Sequence, residues 1–474
     1  MEAVADTHHT SGVTIAARMD RLPITRTHRT ATVAIGFGLF FDIYEIFLAG
    51  VLSTVLQRDL HLGKTALALL LSSAFLGMFL GALTLGRLAD RLGRRRAFLL
   101  SLSVYSVFSL LAAFSVGPVM LVIFRFLAGL GIGAEPPISD TYLGDLLPPK
   151  RRGRYIAWAY TLSFVGVPVA GFLAHWLVPV TLLNVAGWRW MFVLGAVGAV
   201  IVFALRTGLP ESPRWLEAVG RQREAEAVVA RFEREAQAEG IDLPQPDPET
   251  VVPVTSGQFG ELFVPPYLRR TLMMTLFHVL QTLGYYGFGT LVPLILVAKG
   301  FPIVQSLLFS AVTFIGYPVG SALSVPIVER WERKYLVIAS ALAMAGFGVA
   351  FGLSTATWAI VLCGFLYTAI SNLFSNAFHI YQAEIFPTAL RATATSSTYS
   401  LSRLTSGVMP FVLLPLLQHG GPGMLFTVVG VAMAVVAVNV GVLGPRTTGR
   451  RLETVNTDPV TEPTPANTSL EATS

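Results

Sequence analysis

The chain has 474 residues, 53% of them apolar and only 13% charged, against about 25% charged in an ordinary soluble domain. A soluble globular fold is excluded, and the net charge of +6 does not imply nucleic acid, because the bases lie in short loops between apolar blocks. Cys363 is the single cysteine, so no disulfide forms within the chain, and the eight His residues show no metal-ligand spacing; His8 and His9 lie in a polar tail and are expected to face solvent.

In chain order, residues 1–30 form a polar N-terminal tail carrying Arg18, Arg21, Arg26 and Arg29. This is not the short apolar core of a cleavable signal peptide, so the first spanning helix is expected to direct insertion. Twelve apolar segments follow, at 31–56, 66–86, 97–116, 118–143, 155–178, 188–208, 270–298, 304–327, 335–354, 356–383, 392–417 and 422–444. Each has about the length that bilayer hydrocarbon requires. Residues 209–269 form the one long loop, in which Trp215, Val219, Val228, Val229 and Phe232 recur at roughly helical spacing. That spacing predicts one or two amphipathic helices lying on the bundle, ended by PQPDPE at 244–249. The tail 445–474 is polar and predicted to be disordered.

The loops after the second, fourth, eighth and tenth segments hold thirteen Lys or Arg residues, from Arg87 to Arg391. The opposite loops hold Arg58, Lys64, Arg189 and Lys299. This asymmetry places the first set, and both termini, in the cytoplasm.

The chain is also a repeat. An offset of 239 residues superimposes Phe75, Gly77, Gly81, Arg91 and Arg94 on Phe314, Gly316, Gly320, Arg330 and Arg333 without a gap. The same offset brings Tyr142, Asp145, Pro148 and Arg152 onto Tyr381, Glu384, Pro387 and Arg391. The expectation is an all-α membrane protein: 12 transmembrane helices in two pseudo-symmetric six-helix bundles, 31–208 and 270–444, joined by 209–269. Repeated bundles of this kind are a transporter design, with the substrate held between the halves near the midplane.

GRLADRLGRRR (86–96) resembles the loop signature of the major facilitator superfamily, and RFLAGLGIG (125–133) is similar to its fourth-helix pattern. PESPRWL (210–216) resembles the segment after the sixth helix of its sugar porters and metabolite:proton symporters. LGYYGFGTLVP (283–293), AEIFPTALRAT (383–393) and the double acid of FFDIYEIF (40–47) look more like the metabolite symporters. The resemblance covers all twelve helices, and implies the major facilitator fold and a cytoplasmic gate. That gate is expected to use Gly86, Asp90, Arg91, Gly93, Arg94, Asp145 and Arg152, with Glu329, Arg333, Glu384 and Arg391 in the second half. Asp90 is expected near a helix N-terminus, which favours its charge. ERWERK departs from the signature, with Glu332 in place of Gly93. Gly129, Gly131 and Gly133 permit close helix packing.

LGKT (62–65) ends like a phosphate loop, but Arg58 stands where the first glycine is required. No ATP-driven pump is indicated. No nucleophile–base pair or metal cluster points to an enzyme, and no cofactor is expected beyond a proton as coupling ion.

Asp42 and Glu45 lie three apart on one face of the first helix, near the midplane, where a charge costs roughly 2.5–3.5 kcal/mol on insertion scales. Proton carriage is the expected reason for them, with Arg125 as partner for either acid and Glu135 as a further member; the competing reading is a static ion pair. Asp140 lies nearer the cytoplasm. In the second half Gln281 replaces Asp42, and Arg403 is a lone cation near the midplane, suited to a substrate carboxylate. His278, Gln281, Asn372, Asn376 and, more weakly, His379 are candidates for substrate hydrogen bonds. Tyr285 and Tyr286 are candidates for an outer gate, and Pro293 for a bend. The expected function is proton-coupled symport of a small organic solute, an organic or aromatic acid, by a monomer in the bilayer. The alternatives are a sugar or polyol symporter, or a drug/proton antiporter suggested by GVPVAG (166–171); a nontransporting receptor is the other class.

Overall fold

The computed structural model describes residues 14–246, 259–265, 267–386 and 388–447, with the side chains at 86, 87, 90, 329, 388, 389, 391–393 and 396 excepted. The tail with His8 and His9, residues 247–249 of PQPDPE, and the side chains at positions 86, 90, 329 and 391 therefore lie outside the described set.

Twelve spanning helices are present, numbered α1–α12. The first half holds α1 (Arg26–Val51), α2 (Lys64–Leu92), α3 (Arg94–Ala113), α4 (Pro118–Leu146), α5 (Pro149–Leu177) and α6 (Gly187–Thr207). The second holds α7 (Leu268–Ala298), α8 (Ile303–Val328), α9 (Arg333–Leu353) and α10 (Thr357–Glu384). The continuous helix Thr388–Leu443 reverses at Gly421, whose φ of 67° only glycine adopts readily, and so divides into α11 (388–420) and α12 (422–443). α1 begins five residues before the hydropathy limit, because Thr25 and His28 form a capping box that starts the helix in polar sequence. α5 likewise starts at Pro149 rather than 155, since proline suits the first helical position.

Each long helix is apolar around most of its surface, as lipid requires, and Val107, Val200, Leu323 and Val438 are among the exposed apolar side chains. Trp158 and Trp331 toward the basic end, and Trp176 and Trp358 toward the other, are exposed at levels suited to the two membrane interfaces.

The repeat is visible in the packing. Gly77 and Gly81 of α2 bring their backbones against Phe126 and Leu130 of α4, and Gly316 and Gly320 of α8 do the same against Phe365 and Ala369 of α10, again 239 residues on. A side chain at any of the four would strike backbone. Between halves, α2 meets α11, α5 meets α8 and α1 meets α7. A two-fold relation exchanges the first two contacts and maps the third onto itself.

The halves touch from mid-helix to the sparsely charged end. Gly50 lies against the Thr290 backbone, Gly171 against Ala311 and Leu76 against Gly407. Phe47 packs on Tyr317 (ring centroids 5.6 Å), Phe75 on Tyr286 (5.3 Å), and His175 Nδ1 lies 3.1 Å from the Val304 carbonyl. Toward the basic end Asp140, Thr141, His379 and Ile380 are exposed. The cleft between halves therefore opens at the basic end.

The long connection forms helices Pro213–Ala218 and Gln222–Ala238. Trp215, Val229 and Phe232 are buried as the spacing predicted, while Val219 is exposed because the chain turns there between the two helices. These helices dock on the first half. Arg18 and Arg21 both grip Glu233 at 2.6 Å, the Thr27 hydroxyl donates to Glu235 at 2.5 Å, and His28 packs on Phe232.

Candidate functional site

The two acids of α1 have different fates. Glu45 is fully buried; Arg125 Nη1 donates to its Oε2 at 2.6 Å, Arg125 Nη2 donates to its backbone carbonyl at 2.8 Å, and Ser109 of α3 donates to Oε1. Gly195 of α6 leaves room for that carboxylate. Asp42, one turn toward the basic end, is also buried, yet neither of its carboxylate oxygens has a hydrogen-bond partner among the described residues.

Glu135 joins this region through a residue that the sequence reading passed over. Arg206, in the last turn of α6, forms a buried ion pair with Glu135 and stacks over Phe98 at 4.4 Å. Gly38 makes this possible: a Cβ there would lie 2.6 Å from the Arg206 Cζ and 3.1 Å from Glu135 Oε1. Arg206 sits two residues from the end of its predicted span, where an arginine ordinarily reaches the interface. The signal that had been available was the charge count, three acids against one Arg in the first half's membrane interior.

Across the cleft, Arg403 of α11 is buried. Its Nη1 donates to the Tyr286 hydroxyl at 2.6 Å, its Nη2 donates to the Tyr399 hydroxyl, and the guanidinium lies over both rings. No carboxylate pairs with it among the described residues. Tyr286 reaches the opposite half through Phe75, and His379 lies 6.3 Å from Tyr399, ring to ring. A hydrated or anionic ligand entering between the halves thus meets a guanidinium walled by aromatic rings.

The other candidates are engaged within the second half. His278 Nε2 lies 3.0 Å from Gln382 Oε1, and Gln382 Nε2 lies 3.3 Å from His379 Nδ1. Asn372 accepts from Tyr285 (2.9 Å) and donates to the Tyr317 carbonyl (2.7 Å), while Asn376 donates to Ser324 (2.5 Å). Tyr285 is thereby held inside the bundle and Tyr286 alone faces the cleft partner Phe75. Gln281 is buried, its Oε1 without a partner. Pro293 sits within α7, which runs unbroken to Ala298.

At the basic end, Arg94 lies 4.0 Å from Asp145, and their repeats Arg333 and Glu384 lie 3.2 Å apart. Tyr142 donates to the Pro210 carbonyl and Tyr381 to the Pro445 carbonyl, each tying its half to the chain leaving the last span. The turn between α2 and α3 uses Gly93 at φ 95°, whereas Glu332 at the repeated position has φ −61°, so the second half turns differently. The acid at the N-terminus of α3 is Glu211 of PESPRWL, which accepts from the Arg94 and Arg95 backbone N–H groups at 2.9 and 3.1 Å. Arg91 is exposed, and Arg152 lies 3.9 Å from Asp20.

Comparison with known proteins agrees with this architecture. The sugar (and other) transporter family profile matches residues 30–458. The inner membrane metabolite transport protein YdjE of Escherichia coli (strain K12) is 30% identical over 458 residues, covering 93% of this chain and 98% of YdjE. The niacin transporter NiaP of Acinetobacter baylyi is 28% identical over 445 residues, covering 93% and 99%. The xylose transporter XylE from E. coli, solved in a partially occluded inward open conformation, matches with a TM-score of 0.71 at 19% identity, covering 89% of this chain and 99% of XylE. The chain is therefore a multi-pass membrane transporter rather than an enzyme, and it belongs to the sugar (and other) transporter family of the major facilitator superfamily.

Proposed function

We propose that the protein is a proton-coupled symporter of a small organic acid, an aromatic monocarboxylate foremost, working by alternating access. The observation that carries this is Arg403: a buried guanidinium at the cleft, bound among the described residues by two tyrosine hydroxyls and faced by aromatic rings. A buried charge without a counter-ion is costly, and a substrate carboxylate supplies one in the bidentate geometry that guanidinium favours. Relatives that include a niacin transporter are consistent with such a substrate. Asp42 is the proton acceptor in this reading, because Glu45 is already held by Arg125, whereas Asp42 has no hydrogen-bond partner among the described residues.

The excess of basic loops puts the basic end, and both termini, on the cytoplasmic side of the cell membrane. The conformation described is then inward-facing. A proton and the substrate enter from outside, 31–208 and 270–444 rock as two bodies with the docked helices Pro213–Ala218 and Gln222–Ala238 carried by the first, and both ligands leave inward. A monomer suffices, and no cofactor is needed.

Thermal unfolding of the purified protein with benzoate, nicotinate, nicotinamide or xylose, at two pH values, tests the reading. The carboxylates should stabilise the wild type, and the Arg403→Ala variant should lose that effect. Equal stabilisation by nicotinamide, or stabilisation by xylose alone, would overturn it in favour of a neutral substrate.

A further inference from the structure

Among the described residues, the carboxylates and guanidiniums buried in the spanning helices are Asp42, Glu45 and Glu135 with Arg125, Arg206 and Arg403. Three acids face three cations. Glu45 is matched by Arg125 and Glu135 by Arg206. Asp42 and Arg403 remain, one in each half, neither ion-paired.

We infer that this leftover pair of opposite charges makes the carrier move only when its buried charge sums to zero, which enforces one proton per monocarboxylate and electrically silent transport. The inference rests on the reading above, in which Asp42 takes the proton and Arg403 the carboxylate. With both sites empty, Asp42 is negative, Arg403 positive, and the buried total is zero. With both filled, a neutral Asp42 and a neutralised Arg403 give zero again. A proton alone leaves one positive charge and a carboxylate alone leaves one negative charge. Rocking seals the cleft and removes the water that would solvate that excess, and a net charge in low dielectric is then heavily disfavoured. Half-loaded carriers stall, so neither ligand leaks without the other. Arg206 is a positioning residue here: by matching Glu135 it leaves Asp42 as the odd acid.

The groups facing these two charges do not alter the sum. Asp42 is faced by Glu45 on its own helix, Tyr105 on α3, Glu135 on α4 and Arg206 on α6. Arg403 is faced by Tyr286, Tyr285 and His278 on α7, His379 on α10, Tyr399 on α11 and Tyr160 on α5. Asp140, bonded to Tyr160, is exposed within two turns of the cytoplasmic end of α4 and is common to the parent and every variant, so its charge cancels from their comparison.

The test needs no substrate. In the full-length protein with Cys363→Ser, Ala311→Cys places a thiol at the outer contact with Gly171, fully buried while that side is closed. A membrane-impermeant maleimide applied from outside reads how often the empty carrier opens outward, normalised to a second reporter, Leu183→Cys, at an exposed position between α5 and α6. At pH 8, Asp42→Asn and Arg403→Gln should each slow labelling by roughly a hundredfold, the size expected for one uncompensated charge at mid-membrane. The double variant should return to within a few fold of the parent, and Arg403→Lys should match the parent. A double variant as slow as the slower single, or singles that label like the parent, would overturn the inference. Should Asp42→Asn fail to fold, the sign of the pH effect decides. Acidification should slow labelling of the parent and speed that of Arg403→Gln; the same sign in both would defeat the idea. A carrier that passes these tests but binds no carboxylate refutes the substrate reading alone.

Discussion

Glu45 lies 2.6 Å from Arg125, whereas Asp42, three residues earlier on the same face of α1, has no hydrogen-bond partner on either carboxylate oxygen among the described residues. Two acids that look equivalent in FFDIYEIF thus have separate roles. Glu45 ties α4 to α1; Asp42 is the acid to which we assign the proton. Of the two alternatives, the ion pair is present at Glu45, and the proton carrier is proposed at Asp42.

The anchoring role predicts a stability loss. Glu45→Gln leaves Arg125 buried without its partner and should cost about 3–5 kcal/mol, read by reversible unfolding in mixed micelles. Glu45→Gln combined with Arg125→Met should cost clearly less. A single variant no worse than the double would mean that the pair is not held this way.

Glycines on α1 should separate the two ends of the helix functionally. Gly38→Ala places a methyl group against the Arg206 guanidinium and should weaken the Glu135–Arg206 pair, lowering both transport and melting temperature. Gly50→Ala meets the Thr290 backbone, with atoms at 2.7 and 2.8 Å, in the closed outer contact. It should leave the bundle intact but hold the outer side open, raising maleimide labelling at Ala311→Cys. Unchanged labelling would show that α1 and α7 do not form the outer seal.

The docked linker carries a pH dependence of known sign. Burial alone would raise the Glu233 carboxyl, but hydrogen bonds and charges from Arg18 and Arg21 hold it below the ordinary value of 4.5. Its contribution to docking is therefore complete above about pH 4.5 and is lost as pH falls through the lowered value. Trypsin cleavage of the 213–238 segment should stay slow from neutral pH down to about pH 5, as judged by rapid-mixing digestion. Glu233→Gln should raise cleavage at neutral pH. Equal protection in the variant would remove Glu233 from the docking contact.

Glu211 satisfies the first backbone N–H groups of α3, so Glu211→Ala removes a helix cap worth about 0.5–2 kcal/mol. Hydrogen exchange at Arg94, Arg95 and Arg96 should accelerate, with little change at the far end of α3. Uniform acceleration along the helix would instead indicate global destabilisation.

Much of this was legible in the one-dimensional pattern. The twelve spans follow from apolar run length, and the two-bundle repeat from a single offset, which reappears as paired contacts of Gly77 and Gly316 and as the ion pairs Arg94–Asp145 and Arg333–Glu384. The fold agrees because every spanning segment must satisfy its own backbone in lipid. The site was legible only in its residue types. Arg125 pointed to an α1 acid without saying which, and Arg206 looked like an interfacial residue. Asp90, expected near a helix N-terminus, has no described side chain, and the acid found capping α3 is Glu211, 117 residues from Arg94 in sequence.

The linear order of residues thus determined that the protein lives in a bilayer, crosses it twelve times and repeats itself, since those properties depend on local hydropathy and on self-similarity. Tertiary structure alone decided which buried charges meet. That outcome depends on the faces that α1, α3, α4 and α6 turn toward one another at glycine-lined contacts, and on Arg403 lying in the opposite half. Residues adjacent in sequence become inequivalent when only one of them finds a guanidinium within hydrogen-bond reach.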